Sequence, residues 1–253
     1  MRVNKLLTAL EGDAREGRLV AVIRILNSTA SFPMTIVCRP GDFFPRIGDK
    51  RITQGISSAV EVMSNKGAEA DLIEIPDDNG NQVRVVVELV RDKLHVVIFG
   101  AGHVGQAVAL MSAILGYRVT VIDDREEFAS RKRLPDPAIN LAVGDYRMAS
   151  EKLDLTSNTA VVIVTRGHQH DEACLRSVVR SEARYIGMIG SKRRVLAVLD
   201  RLNREGFSRD ELMRVHAPIG LRIGARSPQE IAVSIVAEII GRLNNSDLDS
   251  RIT

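Results

Sequence analysis

The chain has 253 residues, 45% of them hydrophobic and 26% charged, which suits one to two domains of roughly 150 residues and excludes disordered and collagen-like chains. Lys and Arg number 35 against 32 Asp and Glu, a net charge of +3, too small an excess for the dense basic stripe that nucleic-acid binding needs. Aromatic residues make up 4% and Trp is absent, so stacking platforms for single strands are scarce as well.

No apolar run reaches the ~18 residues of a membrane helix, so no membrane insertion is expected. Glu11 and Asp13 interrupt any apolar core of a signal peptide. Cys38 and Cys174 stand far apart in no paired motif, which argues against a disulfide framework or a zinc site and for a cytoplasmic location.

In chain order, residues 4–16 place Leu6, Leu7 and Leu10 on one face of a short helix. Val- and Ile-rich residues 19–26 and 35–38 predict strands. Between and after them Pro33, Pro40, Gly41, Pro45 and Gly48 break the chain. Ile56, Val60 and Met63 predict a helix over 54–65, with Gly67 as its stop. Residues 72–75 and 82–90 predict a hairpin around Asp77-Asp78-Asn79-Gly80. Residues 1–92 thus read as a small α+β module, closed by the polar joint Arg91-Asp92-Lys93.

Beyond the joint, strand and helix alternate. Residues 94–99, 118–123, 140–143, 159–165 and 184–189 are apolar runs of strand length. Helical patterns cover 104–115, 147–153, 172–182 and 192–205, with a short turn at 125–132. Buried runs alternating with helices predict an α/β, Rossmann-like parallel sheet over 93–245. Ser208 with Glu211, and Ser227 with Glu230 and Pro228, are capping boxes that start two further helices, the last running over 229–243. Residues 246–253 form a polar tail.

Four clusters carry candidate chemistry. In the first, Gly100-Ala101-Gly102-His103-Val104-Gly105 follows a strand and opens a helix. The glycines allow a tight turn and close backbone approach, and the helix N-terminus offers free N–H groups to an anion. Asp123, at the end of the next strand, can accept from a ribose diol. Asp124 and Arg125 follow; Arg125 could meet a 2′-phosphate or another anion, or be a solvated residue. A degenerate Rossmann domain that has lost its nucleotide is the alternative to the whole cluster.

The second cluster, Thr165-Arg166-Gly167-His168-Gln169-His170-Asp171, falls at a strand's carboxyl end, where open α/β sheets bind ligands. Its spacing is not a metal-ligand pattern. Arg166 and His168 read as polar groups facing a pocket; His168 and Asp171 could equally cap the following helix. In the third, Gly190-Ser191-Lys192-Arg193-Arg194 sets a hydroxyl and cations at a helix start, against the dipole, as a phosphate or carboxylate site would. A solvated first turn is the alternative, above all for Arg194. The fourth, His216 to Ala225, contains Pro218 and Gly220 and precedes the last helix; it could close over a site or merely connect. Cys174 reads as a core residue. No nucleophile elbow, Cys–His pair or paired acids are legible.

These motifs occur together and in order, and the set resembles the xanthine dehydrogenase accessory protein family (XdhC/CoxI). The resemblance rests on the Gly100–Gly105 loop, Val121-Ile122-Asp123-Asp124-Arg125, Thr165-Arg166-Gly167-His168 with Asp171, Tyr185-Ile186-Gly187-Met188-Ile189-Gly190-Ser191, and the closing His216-Ala217-Pro218-Ile219-Gly220-Leu221, Ile223-Gly224-Ala225 and Pro228-Gln229-Glu230-Ile231-Ala232-Val233-Ser234-Ile235. It spans residues 94–243. It implies binding of the molybdenum cofactor, as a pterin or pterin dinucleotide, and its protection while a cysteine-desulfurase-type sulfurase exchanges an oxo for a sulfido ligand. It also implies delivery into a xanthine dehydrogenase-type molybdenum hydroxylase, by a homodimeric chaperone rather than a turnover enzyme.

Two departures stand out. The family usually carries Gly-Gly-Gly-Cys ahead of its first long helix, where this chain reads Arg51-Ile52-Thr53-Gln54-Gly55-Ile56-Ser57-Ser58. The missing thiolate is a natural soft ligand for molybdenum, and Cys38 is in the wrong place to replace it. Arg222 stands where Asp is usual. A divergent paralogue with a changed ligand, an NAD(P)-dependent oxidoreductase using His103 or His168 as proton donor, and a nucleotide-sensing regulatory module are the competing readings.

Overall fold

Alternating burial along β5 (Gln82–Val90) organises the first part of the chain. Val83, Val85, Val87 and Leu89 point inward and pack on Ile52, Ile56, Val60 and Met63 of α1 (Lys50–Lys66). In the computed structural model, residues 20–27, 35–39, 42–66, 68–90, 93–151 and 153–244 are described. The helix expected over 4–16, the Gly67 stop, positions 91 and 92 of the joint and the tail 246–253 lie outside them. The chain divides into two units, Met1–Asp92 and Lys93–Thr253.

In the first unit, β1 (Val20–Asn27), β2 (Thr35–Arg39), β3 (Asp42–Phe44) and β4 (Ala70–Pro76) join β5 in an antiparallel sheet of order β3-β2-β1-β5-β4. The Asp77–Gly80 turn closes the β4–β5 hairpin, with Gly80 at φ +87°. Strand β3 lies in the Pro- and Gly-broken stretch, where the sequence pattern gives no strand signal. Helix α1 starts four residues before the expected 54, because the Asp49 carboxylate accepts from Ile52 N–H at 2.9 Å and caps it. The stretch matched to Gly-Gly-Gly-Cys therefore lies inside α1. Gly55 is required there by packing, since a Cβ would stand 2.6 Å from an Ile75 methyl.

The second unit holds β6 (His95–Phe99), α2 (His103–Ile114), β7 (Arg118–Asp123), β8 (Ile139–Val143), α3 (Tyr146–Glu151), β9 (Thr159–Ile163), α4 (His168–Val178), β10 (Tyr185–Met188), α5 (Lys192–Arg204), α6 (Arg209–Met213), β11 (Val215–His216) and α7 (Pro228–Leu243). The six strands pair in parallel, in the order β11-β10-β9-β6-β7-β8. Strand β6 is buried along its whole length, as a doubly covered strand must be. Val96 and Ile98 face a core shared with α2 and α7, whereas Val97 and Phe99 face one shared with α4 and α5. The chain winds outward from β6 to β8, then returns to β9 on β6's other side. The topological switch point, where such sheets bind ligands, therefore lies between the carboxyl ends of β6 and β9.

Residues 125–132 form turns, as expected, and the Arg125 guanidinium lies 3.5 Å from the Phe128 ring centroid. Two expectations need correction here. Helix α4 begins at His168 rather than 172, because its first turn is polar and the apolar pattern starts only later. His216, expected in the loop, pairs with β10 together with Val215 as a sixth strand.

Leu175 of α4 is fully buried against the β9 and β10 side of the sheet. Leu175→Ala should lower the unfolding free energy of this unit by about 2–5 kcal/mol in urea denaturation. A change below about 0.5 kcal/mol, the usual size for a surface site, would mean that α4 is not packed as described.

Candidate functional site

The glycine loop owes its shape to three different demands. Gly100 has φ +111°, and a Cβ there would stand 2.5 Å from the Val164 carbonyl oxygen. A Cβ on Gly105 would lie 1.8 Å from the Gly100 carbonyl oxygen, so the helix can start close under the loop only with glycine. Gly102 is the reverse case. Its φ is −68°, open to any residue, and nothing lies within 4 Å of its Cβ position. The room there is left to something other than this chain's described residues.

Asp123 holds the loop in place. It is fully buried. Its Oδ2 accepts Ala101 N–H at 2.7 Å and an Arg125 guanidinium N–H at 3.0 Å; its Oδ1 accepts Arg125 backbone N–H at 3.1 Å and Nε–H at 2.8 Å. Burial pushes its carboxyl up, but the hydrogen bonds from Arg125 and Ala101 outweigh that and hold it below the ordinary value. This corrects two sequence expectations. Asp123 is turned to the loop rather than toward a ribose diol, and Arg125 is engaged by Asp123 rather than presented to a 2′-phosphate. The accessible acid is Asp124, half-buried, which accepts Arg166 at 2.9 Å and the Tyr146 O–H at 3.3 Å. Since β6 lies between β7 and β9, the Arg166–Asp124 pair spans the strand that feeds the glycine loop.

The helices differ in how their first turns are satisfied. Helices α5, α6 and α7 start at Ser191, Ser208 and Ser227, each accepting a backbone N–H of its own first turn. At the switch point α2 and α4 start at Gly102 and Gly167, and neither has a side-chain cap. Their leading N–H groups and positive dipole ends are thus available to an anion. His103 is exposed on the first turn of α2, and Val104 packs partly on the core beneath. Gly167 adopts extended backbone, and the His168 side chain lies outside the described residues.

Thr165 is held by an acid of α4. Its hydroxyl donates to buried Asp171 at 2.5 Å, and Asp171 also accepts Arg194 at 2.8 Å. This bridge ties β9's loop, α4 and α5 together, and it gives Arg194 a partner where a solvated first turn was the alternative. Lys192 and Arg193 are exposed. Ser191, Arg193 and Arg194, with Ala197 and Arg201, border an open depression of about 590 Å³ on the flank of α5. The Ser191 hydroxyl itself accepts Arg194 N–H at 3.4 Å.

The His216–Ala225 loop is pinned from below. The Ala217–Pro218 bond is cis and Pro218 is exposed. Buried Glu238 of α7 accepts Gly220 N–H and the Tyr185 O–H, both at 2.7 Å, and the His216 ring stacks on Tyr185 with centroids 4.7 Å apart. Burial, then the Glu238 charge, pushes the Tyr185 phenol up; burial pushes His216 down. Sequence reading missed Glu238 and Tyr185. The signal was present, because Glu238 is the single charged residue in the run 231–241. Both cysteines are buried, and burial drives the Cys174 thiol far above its ordinary value. Among the described residues, no three His, Cys, Asp or Glu side chains converge as a metal site would require.

All the expected site residues therefore sit at strand ends on one edge of the sheet, but the structure joins only some of them. Gly100 to Gly105, Asp123 to Arg125 and Thr165 to Gly167 meet around β6. Gly190 to Arg193 lie after β10, and Pro218 and Gly220 after β11.

A doubly wound parallel sheet, with a glycine loop and two uncapped helix starts at its switch point, defines a Rossmann-type binding domain. Residues 96–239 match the family model described as the XdhC Rossmann domain. This chain belongs to that family. It is 32% identical over 184 residues to an Escherichia coli protein described as uncharacterized, YqeB, across 73% of this chain and 33% of the relative. It is 30% identical over 154 residues to a Bacillus subtilis protein described as a probable xanthine dehydrogenase subunit, across 61% and 44%. It is 24% identical over 160 residues to the Escherichia coli molybdenum cofactor insertion chaperone PaoD, across 63% and 43%. The matches thus span a third to under half of these relatives. The fold is similar to the crystal structure of a Bacillus halodurans protein described as a xanthine dehydrogenase, with TM-score 0.56 and 17% identity over 98% of this chain and 97% of that one. No helix among the described residues is long and apolar enough to cross a membrane.

The folded Asp123 carboxyl lies below its unfolded value of ~3.9, so its stabilisation is present above about pH 4 and is lost as pH falls through the folded value. Urea midpoints taken from pH 6 down to pH 2 should fall more steeply for the natural chain than for Asp123→Asn. Parallel profiles would remove Asp123 as the anchor of the loop.

Proposed function

We propose that this chain is a maturation factor for a xanthine dehydrogenase-type molybdenum hydroxylase. In this reading it binds the molybdenum cofactor through the phosphate of its pterin at the Gly100–Gly105 loop and hands it to the hydroxylase. The single observation that carries the reading is the contrast in capping: the two helices at the switch point start at bare glycines, beside open space at Gly102, while serine hydroxyls cap the starts of α5, α6 and α7. Family membership, and a relative described as a molybdenum cofactor insertion chaperone, give that anion slot its candidate guest.

The residues present fit the phosphate end of such a guest. N–H groups of Gly102, His103 and Val104 would donate to it, and Arg166 would turn from Asp124 to the incoming charge. They do not offer a thiolate to the metal, since Cys38 and Cys174 are buried. When bound, the cofactor supplies the molybdenum centre, whose redox chemistry takes place in the hydroxylase. This chain's share is to hold and orient the guest and to keep water from it. Pairing as a homodimer, work beside a cysteine-desulfurase-type sulfurase and residence in the cytoplasm belong to the same proposal. An NAD(P)-dependent activity has less support, because Asp123 and Arg125 are spent on each other.

Protein purified from a cofactor-producing host should release a fluorescent oxidised pterin on denaturation. Gly102→Asp should lower the pterin content at least tenfold with an unchanged thermal midpoint, because φ −68° accommodates Asp and the clash falls only on the guest. Equal pterin in both proteins, or none in either, would overturn the proposal.

A further inference from the structure

The depression on the flank of α5 is cationic. Arg193, Arg194 and Arg201 line it, together with Ser191 and the small apolar Ala197. Arg194, Ala197 and Arg201 recur at helical spacing on one side of α5, and a rise of 1.5 Å per residue spreads the two arginines over about 10 Å of helix. Both are held from α4. Arg194 donates an Nη–H to buried Asp171 at 2.8 Å, and Arg201 donates Nε–H and Nη–H to Glu172 at 2.8 and 2.6 Å. A guanidinium carries five N–H donors, so each keeps several for a partner, with its plane already oriented. Lys192 and Arg193 are exposed and, among the described residues, pair with no acid. Leu196, one turn from Arg193, is 67% exposed.

The layout selects among anions. Guanidiniums spread along a helix flank outreach one small anion, and an exposed leucine beside them offers an apolar contact that a phosphate does not use. No aromatic ring lines the depression, so a nucleic-acid base has nothing to stack on there. Arginine beside an apolar anchor is instead the composition of a protein interface. We propose that this flank of α5 docks an acidic segment of a second protein, in which Asp or Glu carboxylates flank an apolar side chain. The carboxylates accept from Arg193, Arg194 and Arg201, and the apolar side chain covers Leu196 and Ala197. Asp171, which orients Arg194, also accepts the Thr165 hydroxyl, so the docked segment lies beside the loop that follows β9. The inference stands on this flank alone and does not rest on the guest of the glycine loop.

Fluorescence anisotropy of the full chain with a fluorescein-labelled peptide of four Glu-Glu-Leu repeats should show saturable binding that weakens as salt rises. The Gln-Gln-Leu counterpart should bind at least tenfold more weakly. Arg193→Glu should weaken the acidic peptide at least tenfold with an unchanged thermal midpoint, since Arg193 has no partner to lose among the described residues. Leu196→Ser should weaken it at least threefold. Arg209→Glu, the same change of charge on exposed α6 surface, should weaken it less than twofold. No saturable binding of the acidic peptide, or equal losses from Arg193→Glu and Arg209→Glu, would overturn the inference. A single-stranded oligonucleotide of the same net charge that binds as tightly as the peptide would overturn it too, by assigning the flank to nucleic acid. Pterin content of the purified chain reports on the glycine loop only, so the two proposals fail separately.

Discussion

One buried carboxylate sets the geometry of the binding edge. Asp123 sits at the end of β7 with no exposure to solvent and draws its hydrogen bonds from the glycine loop on one side and Arg125 on the other. A buried charge is tolerated only when it is paired and hydrogen-bonded, so the loop must lie where its Ala101 N–H can donate. That fixes Gly100 against the Val164 backbone and brings α2 close under the loop at Gly105. The result is a helix start with no described residue within 4 Å of the Gly102 Cβ position.

The rest of the edge is built to stay still around that space. Asp171 clamps the β9 loop to α5 through Thr165 and Arg194, and Glu238 clamps the cis-proline loop to α7 through Gly220 and Tyr185. Each clamp is a buried acid whose partners come from distant segments, and breaking one side would strand a charge at a cost of several kcal/mol. Three interior acids, Asp123, Asp171 and Glu238, therefore hold the glycine-rich, polar loops of this edge. Among the described residues, the starts of α2 and α4 at Gly102 and Gly167 lack a side-chain cap, and the exposed Arg166 is held only by Asp124 at the rim. A pre-formed slot spares the binding energy that ordering a loose one would consume.

Much of this was legible beforehand. The alternation of buried strands with helices gives the parallel sheet, and Gly-x-Gly-x-x-Gly after a strand gives the loop and the switch point. Capping boxes at Ser208 and Ser227 mark two helix starts to the residue. The errors have physical causes. Asp123 reads as a ribose acceptor because spacing shows where a carboxylate sits but not which way it faces. Arg194 reads as solvated because its partner lies 23 residues back, on another helix. The start of α4 is displaced because its first turn is polar and periodicity cannot see it.

The central claim is that the amides opening α2 receive a phosphorylated guest. Nitrogen-15 NMR of the full chain, titrated with inorganic pyrophosphate, observes those amides directly. The expected result is saturable shifts at Gly102, His103 and Val104, with smaller ones at Gly167. Shifts confined to residues elsewhere, with these four unmoved at saturation, would contradict it.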